Sequence, residues 1–244
     1  MTMTGHDLTS TPAVTSAGPA GSPRSALEMC PWLSRYPRRA RRRGRTYRWS
    51  KRALDVGVVL SLALVWLPVY VVCALGVKAQ DPGAPAHFSQ ERTGVGARRF
   101  RVHKLRTMVR DADALKESLR HLNLRTWPDF KVKDDPRVTR IGRVLRATSL
   151  DELPQLFDVL AGRMSLVGPR PTSLAPASYD LWQLERFDVP GGVSGLWQIT
   201  SRDAPSFVER IRLDVSYVDR RCLLLDLEIL LRTVPAVLRG RGAC

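Results

Sequence analysis

The chain has 244 residues, of which 44% are hydrophobic, so it can bury the core of one domain with appendages. Its formal net charge of +16 indicates an anionic partner, which is nucleic acid, an acidic membrane surface or a phosphorylated substrate. The cysteines at positions 30, 73, 222 and 244 form no CxxC pair. This argues against a zinc site and a disulfide framework, and it favours a reducing compartment.

The first 52 residues fall into two segments. Residues 1–34 are rich in Thr, Ser, Pro, Ala and Gly without apolar periodicity, and they are predicted to form a disordered tail. Residues 35–52 contain many Arg and Lys residues and no acid, which is typical of a basic juxtamembrane segment. Because the first apolar run begins only after this segment, no secretory signal peptide is expected.

Residues 56–77 contain no charged side chain, and this run exceeds the roughly 18 residues that mark a membrane-helix candidate. The alternative is a buried core helix, which would leave the preceding arginines without a purpose. Beside a membrane, each arginine can contribute about 1 kcal/mol of binding to anionic headgroups. We therefore predict a membrane helix over 53–78.

The flanks of this helix bear on its topology. Basic residues follow it as well as precede it, at Lys78 and throughout 92–106, and no later stretch is long enough to return across a membrane. Pro68 removes one helical hydrogen bond and is expected to kink the helix. A re-entrant helix that enters and leaves by the same face accounts for both features. It would place residues 79–244 on the same side of the membrane as the basic segment at 35–52.

Residues 79–244 are predicted to form a helix-rich α/β domain. Residues 86–108 have the pattern of a hairpin around a Gly-containing loop, and 134–136 that of a turn. Gly191, Gly192 and Gly195 indicate a loop. Helical periodicity covers 111–124, 137–161, 203–220 and 223–239.

Residues 148–160 contain the first chemistry-bearing pattern, the adjacent carboxylates Asp151 and Glu152. One interpretation is a capping box, with Ser149 at the N-cap and Glu152 at N3. Another makes Asp151 the N-cap, with Pro154 in the first turn. In both, a helix N-terminus favours ionised carboxylates. An ionised Asp can attack phosphorus, and a neighbouring carboxylate can hold Mg²⁺ together with phosphate oxygens.

Three other segments offer groups that can bind a phosphorylated ligand, although a surface turn, a solvated strand and an ordinary loop are the plainer interpretations. Pro169 and Pro171 stiffen the turn around Arg170, whose guanidinium matches a phosphate. Lys104 and Arg106 share one face of a predicted strand and can form an anion site. A Gly-rich segment carries the groups that can stack on and bind a nucleotide: Trp197, Gln198 and Arg202.

These segments, in this order after the apolar run, resemble the bacterial sugar transferase family. Its members are monotopic polyprenyl-phosphate phosphoglycosyl transferases that begin capsule, exopolysaccharide and O-antigen repeat units. The resemblance spans roughly residues 50–240. It rests on KRALD at 51–55, KLRTM at 104–108, TSLDELPQ at 148–155, SLVGPRP at 165–171, GLWQ at 195–198 and LDVSYV at 213–218.

The resemblance implies a re-entrant helix broken near a proline, a position that Pro68 matches, and a cytosolic α/β domain on the inner membrane. It makes Asp151 the covalent nucleophile and Glu152 its Mg²⁺-associated partner. Arg146 and Arg170 fall on arginines near the substrate phosphates. The implied reaction transfers a sugar 1-phosphate from a nucleotide diphosphate sugar, such as a UDP-sugar, to polyprenyl phosphate and releases a nucleoside monophosphate.

The chain departs from the family pattern at two positions. Position 158 is often Asn and position 163 often acidic in the family, whereas this chain has Asp158 and Arg163. Two other functions remain open: a membrane-tethered nucleic-acid binder, for which no recognition motif is seen, and a catalytically silent scaffold in a polysaccharide-assembly complex. We expect no nucleic-acid partner, and a homo-oligomer or assembly partners stay open.

Overall fold

The computed structural model describes residues 24–38, 44–124, 128–200 and 206–238. The strands are β1 His87–Thr93, β2 Arg99–Leu105, β3 Ser165–Val167 and β4 Gly192–Ser194. The α-helices are α1 Ala26–Met29, α2 Arg45–Ser61, α3 Ala63–Gln80, α4 Ala114–Ser118, α5 Arg140–Thr148, α6 Gln155–Leu160, α7 Leu196–Thr200, α8 Phe207–Arg220 and α9 Leu223–Leu238.

The helix-rich α/β prediction is confirmed, since helices surround two small two-stranded sheets. β1 and β2 form the predicted antiparallel hairpin, whereas β3 and β4 pair in parallel. The predicted glycine loop therefore contains β4. The pairing needs glycine, since a Cβ on Gly192 would lie 2.1 Å from the Gly168 amide nitrogen.

The end of the predicted disordered tail is folded, so the prediction is wrong for residues 24–34. Ser25 and Glu28 form a capping box around α1, and a 3₁₀ turn follows at Pro31–Arg35. Cys30 and Leu33 are completely buried in the main core. Residues 1–23 lie outside the described part of the chain.

The last turns of the basic segment bind the domain rather than extend from it. Lys51 Nζ lies 3.1 Å from Asp55 and 3.5 Å from the fully buried Asp226. Arg52 donates to the last carbonyls of α6, at 2.6 Å for Leu160. Asp55 is buried as well and accepts a 2.7 Å hydrogen bond from Ser165 of β3. The predicted helix boundary at 53 therefore falls inside α2, in a stretch that is packed on the domain.

The apolar run is two helices, and the break between them is not at Pro68. α2 ends at Ser61, Leu62 leaves helical geometry with ψ near 2°, and Pro68 lies within α3. Carbonyl groups in the last turn of a helix lack intrahelical partners. The buried Trp66 indole donates to one of them, the Val59 carbonyl, at 2.9 Å. The structure therefore places the bend six residues before the predicted kink.

One face of α3 packs on the domain, and the opposite face exposes apolar side chains. It is the helix of the described chain that is long and apolar enough to cross a membrane. Trp66, Tyr70, Cys73, Ala74 and Val77 form a stripe against the domain. The apolar side chains exposed around the bend and along α3 are Leu60, Leu62, Leu64, Val65, Leu67, Val69, Val71, Val72 and Leu75.

The helical segment predicted for 137–161 is interrupted. α5 begins at Arg140, and the hydroxyl of the preceding Thr139 caps it by accepting the Gly142 amide at 3.0 Å. A Cβ at Gly142 would lie 2.1 Å from the Thr107 carbonyl oxygen, so glycine lets α5 approach the chain that leaves the hairpin. α8 and α9 match the predicted helices at 203–220 and 223–239, of which residues 203–205 and 239 lie outside the described part of the chain. The helix predicted for 111–124 contains only α4 and a short 3₁₀ turn.

Candidate active site

Asp151 and Glu152 lie in a 3₁₀ turn, Leu150–Glu152, between α5 and α6. Ser149 adopts the left-handed conformation with φ 58° and makes no side-chain capping hydrogen bond. α6 begins after Pro154, which also provides no side-chain cap. Both capping interpretations are therefore wrong, because the chain reverses at Ser149 and directs Glu152 towards cations instead of a helix N-terminus.

Glu152 is held by two cations from different parts of the chain. Lys104 of β2 donates to its Oε1 atom at 2.6 Å, and Arg170 Nη1 donates to Oε2 at 3.1 Å. A second Arg170 nitrogen also donates to Oε1. Burial would raise the pKa of Glu152, but the charges of Arg170 and Lys104 outweigh it and hold the pKa well below its usual value. Glu152 is therefore a fixed carboxylate.

Asp151 has a different environment although it is the next residue. Its carboxylate lies 3.6 Å from Lys104 Nζ, and among the described residues no closer donor contacts it. Burial raises the pKa of Asp151 above its usual value, and Lys104 opposes this shift. A buried carboxylate without strong hydrogen bonds keeps the lone pairs that a nucleophile needs. A helix dipole was expected to favour the ionised form of Asp151, but the pKa of Asp151 is raised instead of lowered.

The Arg170 turn is fixed from behind by a buried ion pair that the sequence analysis did not identify. Arg186 donates to the Arg170 carbonyl at 2.6 Å and to Asp214 at 2.5 Å. Both side chains of this pair are 2% exposed. Burial raises the pKa of Asp214 to about 6, against the charge of Arg186. The Pro169 carbonyl accepts the Gly192 amide at 2.9 Å, which joins the turn to β4.

Two predicted phosphate ligands have other roles in this structure. Arg106 follows β2, donates to the Pro85 carbonyl at 2.9 Å and stacks on Phe88. Arg106 forms no ion pair with Asp151 or Glu152. β2 ends at Leu105, so Arg106 no longer shares a strand face with Lys104. Arg146 donates to the Thr107 hydroxyl at 2.9 Å, and burial lowers its pKa while the Asp151 charge opposes that shift.

A cavity of about 840 Å³ opens beside Glu152 and Arg170. Trp197 and Gln198 line it, as predicted for nucleotide contacts, and Arg202 lies outside the described residues. Arg210 covers the Trp197 ring at 5.5 Å, so one face of that ring is already occupied. Gln198 donates through Nε2 to the Val193 carbonyl at 3.0 Å. Four of the predicted site residues therefore line this cavity: Glu152, Arg170, Trp197 and Gln198. The other predicted residues that the structure describes are not among its lining residues: Lys104, Arg106, Arg146, Asp151 and Pro169.

The two departures from the family pattern contact each other. Arg163 donates to the fully buried Asp158 at 2.7 Å. Asp158 also accepts the His103 amide at 3.1 Å and the His103 ring at 2.9 Å. Since Lys104 follows His103, Asp158 fixes the part of β2 that carries the cation. The LDVSYV motif was the only sequence signal for Asp214, and no pattern indicated its partner Arg186.

The fold places two adjacent carboxylates, Asp151 and Glu152, beside the cations Lys104 and Arg170, in a domain that carries a long apolar helix. The sequence profile of the family described as bacterial sugar transferase matches residues 46–240, and the chain belongs to that family.

Three curated relatives show how far the similarity extends. The galactosyl transferase CpsE of Streptococcus agalactiae is 41% identical over 80% of this chain and 43% of its own length. The exopolysaccharide production protein ExoY of Sinorhizobium fredii is 36% identical over 80% of this chain and 88% of its own length. The UDP-glucose:undecaprenyl-phosphate glucose-1-phosphate transferase of Caulobacter vibrioides is 40% identical over 79% of this chain and 71% of its own length. The chain spans less than half of the length of CpsE.

Proposed function

We propose that this protein transfers a sugar 1-phosphate from a nucleotide diphosphate sugar to a polyprenyl phosphate, through a covalent intermediate on Asp151. The observation that carries the proposal is the contrast between two adjacent carboxylates. Glu152 is held by Lys104 and Arg170, whereas Asp151 lies 3.6 Å from the shared lysine and keeps its oxygen atoms available. One group is suited to positioning and the other to attack.

The reaction proceeds in two displacements at one phosphorus atom. A carboxylate oxygen of Asp151 attacks the β-phosphorus, the bond from that phosphorus to the bridging oxygen breaks, and the nucleoside monophosphate leaves with the bridging oxygen. A phosphate oxygen of the polyprenyl phosphate then attacks the same phosphorus, and the bond to Asp151 breaks. The product is a polyprenyl diphosphate sugar, and Asp151 returns as a carboxylate. Lys104 and Arg170 lie where they can stabilise the phosphoryl charge.

The donor set fits Mg²⁺ held jointly with substrate. The described residues contain no cluster of three or more His, Cys, Asp or Glu side chains, so a resident site built from protein ligands is not supported. Mg²⁺ needs only one or two carboxylates when phosphate oxygens and water complete its shell. Asp151 and Glu152 would hold it, and the bound ion would offset phosphate charge.

The names of the relatives favour particular substrates. One relative is named for UDP-glucose and undecaprenyl phosphate, and another is named a galactosyl transferase. A UDP-hexose donor and an undecaprenyl phosphate acceptor are therefore the first substrates to test. The product would begin an exopolysaccharide or related glycoconjugate.

We also propose that α2 and α3 form a re-entrant membrane hairpin, with the domain on the cytoplasmic face of the inner membrane. The support is that both arms return to the same domain. Asp55 and Arg52 of α2 bond to β3 and α6, while Tyr70 and Val77 of α3 pack beside α6 and β2. The exposed apolar side chains lie around the bend and along α3. A single-pass orientation would separate the contacts that both arms make with the domain.

The decisive experiment for the chemistry is Asp151→Asn in the full chain. It should abolish nucleoside monophosphate release from a UDP-hexose in the presence of undecaprenyl phosphate, while membrane association stays at the wild-type level. Arg120→Gln is a matched control, since it alters a surface side chain that is 74% exposed. Full activity of Asp151→Asn would rule out the covalent route.

Topology is tested separately by protease protection in sealed inverted vesicles. Both termini should be cleaved from the same side. Protection of one terminus and cleavage of the other would show a spanning helix instead of a hairpin.

A further inference from the structure

Arg92 of β1 lies in the wall of the cavity that contains Glu152 and Arg170, and nothing in the proposed chemistry has used it. Its position is fixed by hydrogen bonds to the backbone that follows Arg170. The next residue, Thr93, donates its amide to the Thr172 carbonyl at 2.8 Å and its hydroxyl to the Leu174 carbonyl at 2.6 Å. The end of the hairpin is therefore joined to the chain that leaves the turn.

Most charged side chains around the cavity form ion pairs, but Arg92 forms none with an acid among the described lining residues. The cavity wall contains three acids, and each is paired with an arginine: Asp129 with Arg210, Glu152 with Arg170, and Asp214 with Arg186. Among the described lining residues, the cations that form no ion pair with an acid are Arg92 and Lys131.

The hydrogen bonds of Arg92 are made to neutral acceptors. One nitrogen donates to the Pro171 carbonyl at a long 3.4 Å, and another donates to the Gln90 side chain. Burial, and then the neighbouring charge of Arg170, lower the pKa of Arg92 to about 10. The Glu152 charge acts in the opposite direction and favours the charged form. A partly buried guanidinium beside a second one is suited to bind an anion, and its planar fork matches phosphate oxygens.

We propose that Arg92 is a further anion-binding residue of this site, and that it binds phosphate oxygens of the ligand that Arg170 also contacts. The inference rests on the proposed function and deepens it. The phosphate has two sources, which are the nucleotide phosphate that leaves and the phosphate of the lipid acceptor. Both present the same chemistry to the guanidinium, so the experiment separates them.

The test measures initial rates of nucleoside monophosphate release by the full chain in detergent, with the UDP-hexose and the undecaprenyl phosphate varied in turn. The variants are Arg92→Gln, which removes the charge, and Arg92→Lys, which keeps the charge without the fork. Arg101→Gln is the matched control, because Arg101 is an exposed arginine of the same hairpin outside the cavity lining.

For Arg92→Gln we expect the KM of one substrate to rise by about tenfold or more, because the substitution removes a charge-assisted hydrogen bond to the phosphate. Arg92→Lys should show a smaller rise, and Arg101→Gln should match the wild type. A higher KM for the UDP-hexose, with weaker inhibition by UMP, assigns the nucleotide phosphate. A higher KM for the lipid assigns the acceptor. If Arg92→Gln fails to fold, as judged by thermal unfolding, Arg92→Lys decides by the same two constants.

Unchanged KM values for both substrates would overturn the inference, even with a lower kcat, since that pattern indicates a purely structural residue. A wild-type protein that releases no nucleoside monophosphate counts against the proposed function instead. In that case, calorimetric titration with inorganic pyrophosphate tests Arg92 independently. Weaker binding by Arg92→Gln than by Arg101→Gln supports the anion site, and equal binding overturns it.

Discussion

Asp151 and Glu152 are neighbours in the chain but differ in charge environment, because the 3₁₀ turn directs them towards different partners. Glu152 is surrounded by cations, which hold its pKa low. Asp151 is buried, and burial raises its pKa although Lys104 at 3.6 Å, Arg170 and Arg146 act in the opposite direction. The acid limb of the activity should therefore follow the ionisation of Asp151 rather than that of Glu152, because Glu152 stays ionised at lower pH.

Lys104→Gln tests this difference. Lys104 is the strongest influence that lowers the pKa of Asp151, so its removal should raise that pKa further. A nucleophilic carboxylate is active only when ionised, and activity is lost as the pH falls through its pKa. The acid limb of kcat should therefore move to higher pH, which a pH profile of nucleoside monophosphate release measures. An acid limb that stays where it is in the wild type would contradict the assignment of Asp151.

Asp158 and Arg163 also act as a pair at the residue scale. Asp158 is fully buried, whereas Arg163 is 47% exposed, so solvent screens their interaction. In a double-mutant cycle of Asp158→Asn and Arg163→Ala, we expect a coupling energy of about 1 kcal/mol in thermal or denaturant unfolding. Strict additivity of the two substitutions would show that the two departures from the family pattern are independent.

At the scale of elements, the break at Leu62 is stabilised by a side chain beyond it. The Trp66 indole satisfies the Val59 carbonyl in the last turn of α2 and packs edge-on against Phe157. Trp66→Phe keeps an aromatic ring and removes the N–H group. We expect a loss of about 1–2 kcal/mol, seen as a lower apparent Tm in detergent at a fixed scan rate. Trp49→Phe should change little, since Trp49 is 73% exposed, and equal Tm shifts in both variants would refute this role.

The elements that could be predicted from sequence are those whose signal is local. The apolar periodicity of α8 and α9 and the alternation around the hairpin loop lie within each segment, and both predictions are confirmed. β3 and β4 contain three residues each, which is too short for a period to appear. Their parallel pairing depends on close contact between Gly168 and Gly192, which are far apart in sequence.

The site divides in the same way. Asp151, Glu152, Lys104 and Arg170 were predicted as chemical groups, and the structure brings them together. Arg186, which holds the Arg170 carbonyl, and Arg92 of the cavity wall were not predicted, because an arginine looks the same in sequence whether it is solvated or buried. The capping prediction failed because Ser149 ends α5 in the left-handed conformation and α6 begins only at Gln155, so no α-helix begins at the two carboxylates.

At the scale of the whole molecule, the N-terminal and C-terminal segments share one core. Arg24 pairs with Glu209 of α8 at 2.9 Å, and Tyr36 and Arg35 contact Glu228 of α9. The sequence of this N-terminal segment is rich in small and polar residues, and it gives little local indication that the segment packs on α8 and α9. The segment is ordered because its apolar side chains, including Cys30 and Leu33, are buried in the main core together with residues of α8 and α9.

Leu33→Ala tests whether residues 24–36 belong to the folded unit. Leu33 is completely buried in the main core, so the truncation should create a cavity and lower the free energy of unfolding by about 2–5 kcal/mol. Leu27→Ala is the matched control, because Leu27 is 41% exposed in the same segment and its loss should cost less than about 0.5 kcal/mol. Thermal unfolding of the full chain in detergent measures both. Since disordered residues contribute no packing, equal stability of the two variants would mean that this segment is not part of the core, and the original prediction of a disordered tail would stand.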